Sequence, residues 1–279
     1  MAYKSLLTIA TDIEICETPL QHAIAMARMG EAHLDVQCIG VDRTQTGYYY
    51  AGANAMVLQQ TLQQAQQDAE ELEAMIRARL SNEDINWSCE SGVAQLTGLN
   101  RLIAHRARFS DLVVLPKPYG ENLKQELEAV VESAMFEGHA PVMVVPEDMD
   151  GETTPKRIII AWNESAEALA AIRAALPLLK NADLVNVAVI DPPTHGPDRS
   201  DPGGALSQML ARHGVKAEIS VLAKTMPRVA DVLVRHVRDL DADLLVMGAY
   251  GHSRFREAIL GGATRNMLEL AEVPVLLAH

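Results

Sequence analysis

One pattern is written twice in this chain, and that duplication limits its fold more than any other feature. DLVVL at Asp111 is answered by DLLVM at Asp243, and HAPVMVV at His139 by EVPVLLA at Glu272. Around these matches, short apolar runs alternate with stretches of helical spacing. In the first half the runs are Leu6–Ile9, Leu34–Val41, Ile85–Glu90, Leu112–Leu115 and Val142–Val145. Helices are expected between them, from about Pro19 to Met29, through Leu58 to Ile76, over Leu99–Ala107 and over Leu123–Phe136. The second half repeats the order with runs at Ile158–Ile160, Val185–Ile190, Glu218–Leu222, Leu244–Met247 and Val275–Leu277. Its helices are expected after the Ser165 cap, over Leu206–Arg212, from Pro227, and through Met267 and Leu268. Near-continuous apolar strands alternating with helices mean parallel sheets covered on both faces. The polar, Pro- and Gly-bearing stretch Pro146–Lys156 reads as the linker, giving units over residues 1–148 and 155–279.

Composition narrows the class. At 48% hydrophobic and 22% charged residues this is a globular chain, and no apolar run approaches membrane-spanning length. The N-terminus MAYKSLLTIATDIE reads as a first strand rather than a signal peptide. Cys16, Cys38 and Cys89 are odd in number and lack C-x-x-C spacing, so reduced thiols in a cytoplasmic protein are expected. A net charge of −13 argues against nucleic acid and anionic membranes as partners. Residues 1–150 hold 10 Lys+Arg against 22 Asp+Glu, whereas residues 151–279 hold 14 against 15. A polyphosphate is therefore better tolerated by the second half.

The stretch from Leu244 to Thr264 carries the chemistry. The apolar run breaks at Gly248, Gly251 follows, and Gly261, Gly262, Ala263 and Thr264 lead into a fresh helical pattern. Glycines admit a phosphate close to the backbone, and a helix N-terminus offers free N–H donors and partial positive charge. Glycines serving only tight turns are an equal alternative for the pattern alone. In a doubly wound sheet ligands bind beyond the C-terminal strand ends, where strand order reverses. An order of 3-2-1-4-5 would bring Trp162 and Asn163, at the end of this half's first strand, beside Gly248. His252 lies in the same loop, where a solvent-facing histidine is the plainer reading. The nine histidines show neither H-x3-H nor H-E-x-x-H spacing, so no metal site is expected. G-x-S-x-G, G-x4-G-K-[S/T] and a Rossmann G-x-G-x-x-G after either first strand are all missing, and no catalytic residue is assigned. Tyr48, Tyr49 and Tyr50 suit packing of the following helix as well as ligand stacking.

These residues resemble the universal stress protein family, many of whose members bind ATP through G-x2-G-x9-G-[S/T]. Gly248, Gly251 and Gly261 meet the spacing, and the strand–helix order of both halves extends the resemblance over nearly the whole chain. The resemblance places phosphate contacts at Gly248, Gly251, Gly261 and Gly262, the family's first-strand acid at Asn163, and its adenine-side strand position at Val189. Two departures stand out: Gly262 replaces the Ser/Thr, with Thr264 as a substitute hydroxyl, and Asn163 replaces the Asp. The first half keeps Asp12 but has Pro116-Lys117-Pro118-Tyr119-Gly120 in place of the first glycine pair, and prolines remove donors. The resemblance thus implies two tandem doubly wound parallel five-stranded sheets of order 3-2-1-4-5. It also implies that they pair through their last strands about a pseudo-twofold axis, with a homodimer as the further assembly. The function implied is a stress-response regulator that binds ATP, with Mg as its companion, in the second half and has no dedicated catalysis. The rival readings are a scaffold or small-ligand carrier that has lost nucleotide binding, and a slow ATPase. An adenine-nucleotide α-hydrolase-like enzyme would need a signature such as S-G-G-x-D-S where this chain has ATDIEI and AWNESA.

Overall fold

Apolar runs too short for helices become strands, and the segments of helical period between them become the covering layers. The computed structural model describes residues 2–43, 54–120, 126–147, 149, 154–192, 201–249 and 262–279, with backbone alone for 54–58. The strands of the first half are β1 (Ser5–Ala10), β2 (His33–Asp42), β3 (Asn86–Gln95), β4 (Leu112–Pro116) and β5 (Val142–Val145). Those of the second are β6 (Arg157–Trp162), β7 (Leu184–Ile190), β8 (Glu218–Leu222), β9 (Leu244–Gly248) and β10 (Val275–Ala278). The helices are α1 (Ile13–Gly30), α2 (Asn54–Leu80), α3 (Leu99–Ala107), α4 (Glu126–Glu132), α5 (Ala166–Leu179), α6 (Gly204–Arg212), α7 (Val229–Asp239) and α8 (Ala263–Leu270).

Within each half the strands are parallel in the order 3-2-1-4-5, as the resemblance implies. The two five-stranded sheets meet through their last strands and so form one ten-stranded sheet, β3-β2-β1-β4-β5-β10-β9-β6-β7-β8. The join is antiparallel, with Val275 opposite Val144, Leu276 opposite Met143 and Leu277 opposite Val142. An apolar edge with open N–H and C=O groups is a template for pairing, and here each final strand covers the other. The outer edges are left to β3 and β8.

Alternation along the strands fills two cores, one on each face of the sheet. One core packs Leu6, Val36, Val114, Ile160 and Val187 under α1, α2, α5 and α6. The other packs Leu7, Ile39, Val113, Ile159 and Leu245 under α3, α4, α7 and α8. Both cores run across the seam, and Tyr3 Oη donates to Ala174 O at 2.7 Å from one half to the other. The repeated aspartates share a task. Asp111 Oδ2 accepts from Lys4 N at 2.7 Å and Ser5 N at 3.1 Å, while Asp243 accepts from Lys156 N at 2.8 Å and Arg157 N at 2.9 Å. Each carboxylate pins the start of its half's first strand.

Local boundaries differ where capping outweighs a proline. α1 begins at Ile13, not near Pro19, because Asp12 caps it and accepts from Glu14 N at 3.0 Å; Pro19 lies inside the helix. α7 starts at Val229, two residues after Pro227, and α4 passes into a π-helical turn at Ser133–Glu137. The Tyr48–Tyr50 run lies outside the described residues.

Two measurements test this architecture. Met143 and Leu276 are 1% and 0% exposed and directly opposed, so Met143→Lys with Leu276→Lys would bury two like charges at several kcal/mol each. The radius of gyration from small-angle scattering should rise while circular dichroism retains the helices; an unchanged radius would place the join elsewhere. The second concerns α7, where buried His236 lies 2.9 Å through Nε2 from Asn186 Oδ1, and Asn186 Nδ2 donates to Ser220 Oγ at 2.9 Å. Burial holds the His236 imidazole below its usual range, with Asp239 opposing weakly. The unfolded chain therefore takes up the proton first. This contribution to stability is present above about pH 6.5 and is lost as pH falls below it. Urea unfolding on either side of that pH should show the loss in the native chain and a shallower slope in His236→Gln.

Candidate functional site

The chain runs from β6 outward through β7 to β8, then crosses back to β9 on the other side of β6. In doubly wound sheets ligands bind in the crevice at such a reversal, which here falls at the C-terminal ends of β6 and β9. Trp162 closes β6 and is half-buried against the α5-side core, and Asn163 follows, exposed. Asn163 Oδ1 accepts from Ser165 N at 3.2 Å, Glu164 takes a left-handed φ of 62°, and Ser165 Oγ accepts from Ala168 N at 3.1 Å. This tight turn starts α5 directly after the strand. Asp12 accepts from Glu14 N in the same way at the start of α1. The task requires an acceptor oxygen, not a charge, so Asn163 performs it as well as Asp.

Gly248 has a packing reason for being glycine. A Cβ there would fall against Ala168 N and lie 2.7 Å from Glu167 C, in the first turn of α5. β9 and the N-terminus of α5 are thus in contact through bare backbone. Val189, one strand away on β7, is 4% exposed, and its Cγ2 would lie 3.7 Å from a Cβ on Gly203. It therefore packs beneath the N-terminus of α6, which Gly203 enters at φ 85°.

Gly262 precedes α8, its carbonyl accepting from Asn266 N at 3.1 Å; Ala263 is exposed and Thr264 is 2% exposed. α8 joins the parallel neighbours β9 and β10, so it runs back against them and its N-terminus lies at the crevice edge of the sheet. Gly251, His252 and Gly261 lie outside the described residues. The structure therefore brings Trp162, Asn163 and Gly248 together, puts Val189 in the neighbouring core, and sets Gly262, Ala263 and Thr264 at the start of α8. Among the described residues no group of three or more His, Cys, Asp or Glu is placed to hold a metal.

The corresponding end of the first half is partly occupied by its own side chains. Arg43, just beyond β2, pairs with Glu126 in the first turn of α4, with Nη2 on Oε1 and Nε 3.5 Å from Oε2. Glu126 is 2% exposed. Tyr119 Oη donates to Glu128 Oε1 at 2.7 Å, and the Arg265 guanidinium of α8 lies 5.0 Å from the Tyr119 ring centroid. An open cavity of about 220 Å³ remains between Asp12, Val41, Arg43, Asp68 and Glu71, with three carboxylates in its wall against one guanidinium. The Arg43–Glu126 pair spans 83 residues, and nothing in the local sequence marks it.

Because of its backbone contact, Gly248→Ala should destabilise the protein by ~1–3 kcal/mol even without ligand. A lowered denaturation midpoint of the ligand-free variant checks this; an unchanged midpoint would leave Gly248 to ligand contact alone.

Comparisons with known proteins bear on the sequence of the second half and on the fold. Residues 154–279 match the model of the Universal stress protein family. Universal stress protein Slr1230 of Synechocystis sp. (strain ATCC 27184 / PCC 6803 / Kazusa) is 28% identical over 174 residues, 60% of this chain and 57% of its own. The match thus spans little more than half of that relative. The crystal structure of a universal stress protein from Archaeoglobus fulgidus DSM 4304 superposes with a TM-score of 0.74 at 14% identity, over 98% of this chain and 96% of that one. A Pseudomonas aeruginosa UCBPP-PA14 protein of the same family name gives 0.63 at 17% identity, over 99% and 93%. At these identities the likeness is one of fold, and it runs through both halves. The sequence match to the universal stress protein family thus covers residues 154–279, and the likeness of fold extends through both halves.

Proposed function

We propose that this protein is a cytoplasmic stress-response regulator whose second half binds an adenine nucleotide, ATP foremost, without dedicated catalysis. The observation that carries this reading is the strand-order reversal at the ends of β6 and β9, where Gly248 lies bare against the first turn of α5. The N–H groups at the start of α8 supply anion donors on the same edge. The phosphates are assigned to Gly248, Gly251, Gly261, Gly262, Ala263 and Thr264, with His252 in the same loop. The base and sugar are assigned to the side of Trp162, Asn163 and Val189. Asn163 carries no charge, which suits an anion but gives Mg a weaker oxygen and the site no general base. The binding unit is residues 155–279, with 1–148 as a degenerate partner whose crevice holds Glu126 and Arg43. ATP acts here through linked stabilisation, about 2.7 kcal/mol at a hundredfold excess over Kd.

A specific observation favours a second reading, a scaffold or carrier that has lost nucleotide binding. Thr264, the residue offered as substitute for the motif's hydroxyl, is 2% exposed. Calorimetric titration of the full chain separates the two readings. The nucleotide reading expects a single ATP per chain, lost in Gly261→Val while circular dichroism stays native. Absence of ATP heat favours the carrier, and two sites per chain would show that the first half binds as well.

A further inference from the structure

In the second half a ring from α7 closes the sheet face, with His236 Nε2 2.9 Å from Asn186 Oδ1 on β7. Asp35 holds the register of Asn186 in the first half. It stands beside Leu7 on β1 and Ser88 on β3, as Asn186 stands beside Ile159 on β6 and Glu218 on β8. Among the described residues no ring from α3 meets Asp35. Its Oδ1 accepts from Ser88 Oγ within the sheet, and the exposed His33 Nε2 lies 3.5 Å away. A cavity of about 150 Å³ opens here, between the N-terminal parts of β1, β2 and β3 and the end of α3. Its lining includes Asp35, Gln37, Ser88, Glu90, His105 and Phe109. We propose that this cavity binds a small planar organic cation of the guanidinium class. The site lies in the first half, at the starting ends of the strands, and does not depend on the nucleotide reading.

Strand register makes the polar lining converge. Asp35 and Gln37 are alternate residues of β2 and so share one face, and Ser88 and Glu90 stand beside them on β3. Neighbouring strands lie about 4.8 Å apart and alternate residues about 6.6 Å, so the four side chains rise from one patch. Gln37 is 4% exposed, and its Nε2 donates to Glu90 O at 3.1 Å and to Cys38 O at 3.5 Å. No described residue donates to its Oε1. That oxygen is not sealed from solvent, so it opens on the cavity. Asp35 Oδ2 likewise accepts from no described residue.

Acceptors left open in this way call for a ligand of N–H donors. Above the usual histidine range, Asp35 and Glu90 stand against one guanidinium, that of Arg106, which donates to Glu90 Oε2. The net single negative charge is balanced by one organic cation. A metal ion fits less well, because among the described residues no group of three or more His, Cys, Asp or Glu is placed to hold one. A guanidinium is flat, presents its donors as a fork that matches a carboxylate, and stacks on aromatic faces. The wall offers such a face: Phe109 is 71% exposed and meets the His105 ring edge-on, with 5.8 Å between centroids. The volume is roughly ten times what one water needs, which is room for a small organic ion.

Methylguanidinium tests the proposal on the full chain labelled with 15N, at about pH 8 so that the histidines are neutral. Titration should shift the backbone amides of Asp35, Gln37, Ser88 and Glu90 together and to saturation. Urea, flat but uncharged, and methylammonium, charged but not flat, should each bind at least ~10-fold more weakly. Asp35→Asn, which copies Asn186, should weaken methylguanidinium ~10-fold or more, and Phe109→Ala, at an exposed position, ~3-fold. Circular dichroism verifies that both variants are folded. A capped arginine tripeptide assigns the source of the group: weaker binding than methylguanidinium marks a free small molecule, tighter binding an arginine side chain. The proposal falls if these amides stay in place, or if they shift without saturation like those beside other surface carboxylates. It falls equally if urea or methylammonium binds as tightly, or if either folded variant does.

Discussion

The antiparallel pairing of β5 with β10 is the contact on which the rest of the molecule depends. Its backbone hydrogen bonds contribute about 0.5–1.5 kcal/mol each net of water. The side chains they align matter more: Val142, Met143, Val144, Val145, Val275, Leu276 and Leu277 are all 1% exposed or less. Full burial of each contributes about 1.5–3 kcal/mol, so packing rather than hydrogen bonding dominates the seam. Contacts beside the seam extend it. Phe136 meets the His279 ring edge-on at 4.8 Å, and Lys117 Nζ reaches Ala271 O at 3.4 Å. Burial holds that ammonium below the usual lysine range.

One fold carried twice has diverged at its crevices. β9 ends in Gly248, whose bare backbone meets α5; β4 ends in Pro116, which offers no N–H. In the second half Gly262 caps α8, which begins at Ala263. In the first, α4 begins with Glu126, whose buried carboxylate is already matched by Arg43. The seam brings the two ends into contact, because Arg265 in the first turn of α8 stacks on Tyr119 of the first half's loop. A change at the start of α8 therefore has a physical route into the other half.

Much of this was legible in the sequence. Five short apolar runs per half, turn residues between them and the repeated Asp-Leu-x-Val motif dictate parallel strands with helices on both faces, since only that arrangement buries such runs. The glycines at 248, 251 and 261 mark a break from strand to helix, and Asn163 and Trp162 fall where the first strand of that half must end. Tertiary structure decided the remainder. The register of the join, with Val275 opposite Val144, depends on how the two edges meet, and a strand's own residues do not name its partner. That Gly248 is fixed by the first turn of α5, Val189 covered at Gly203, and Glu126 matched by Arg43 are contacts between segments distant along the chain. Local propensity carries no information about such contacts, because each residue's preference is satisfied whether or not the distant partner arrives.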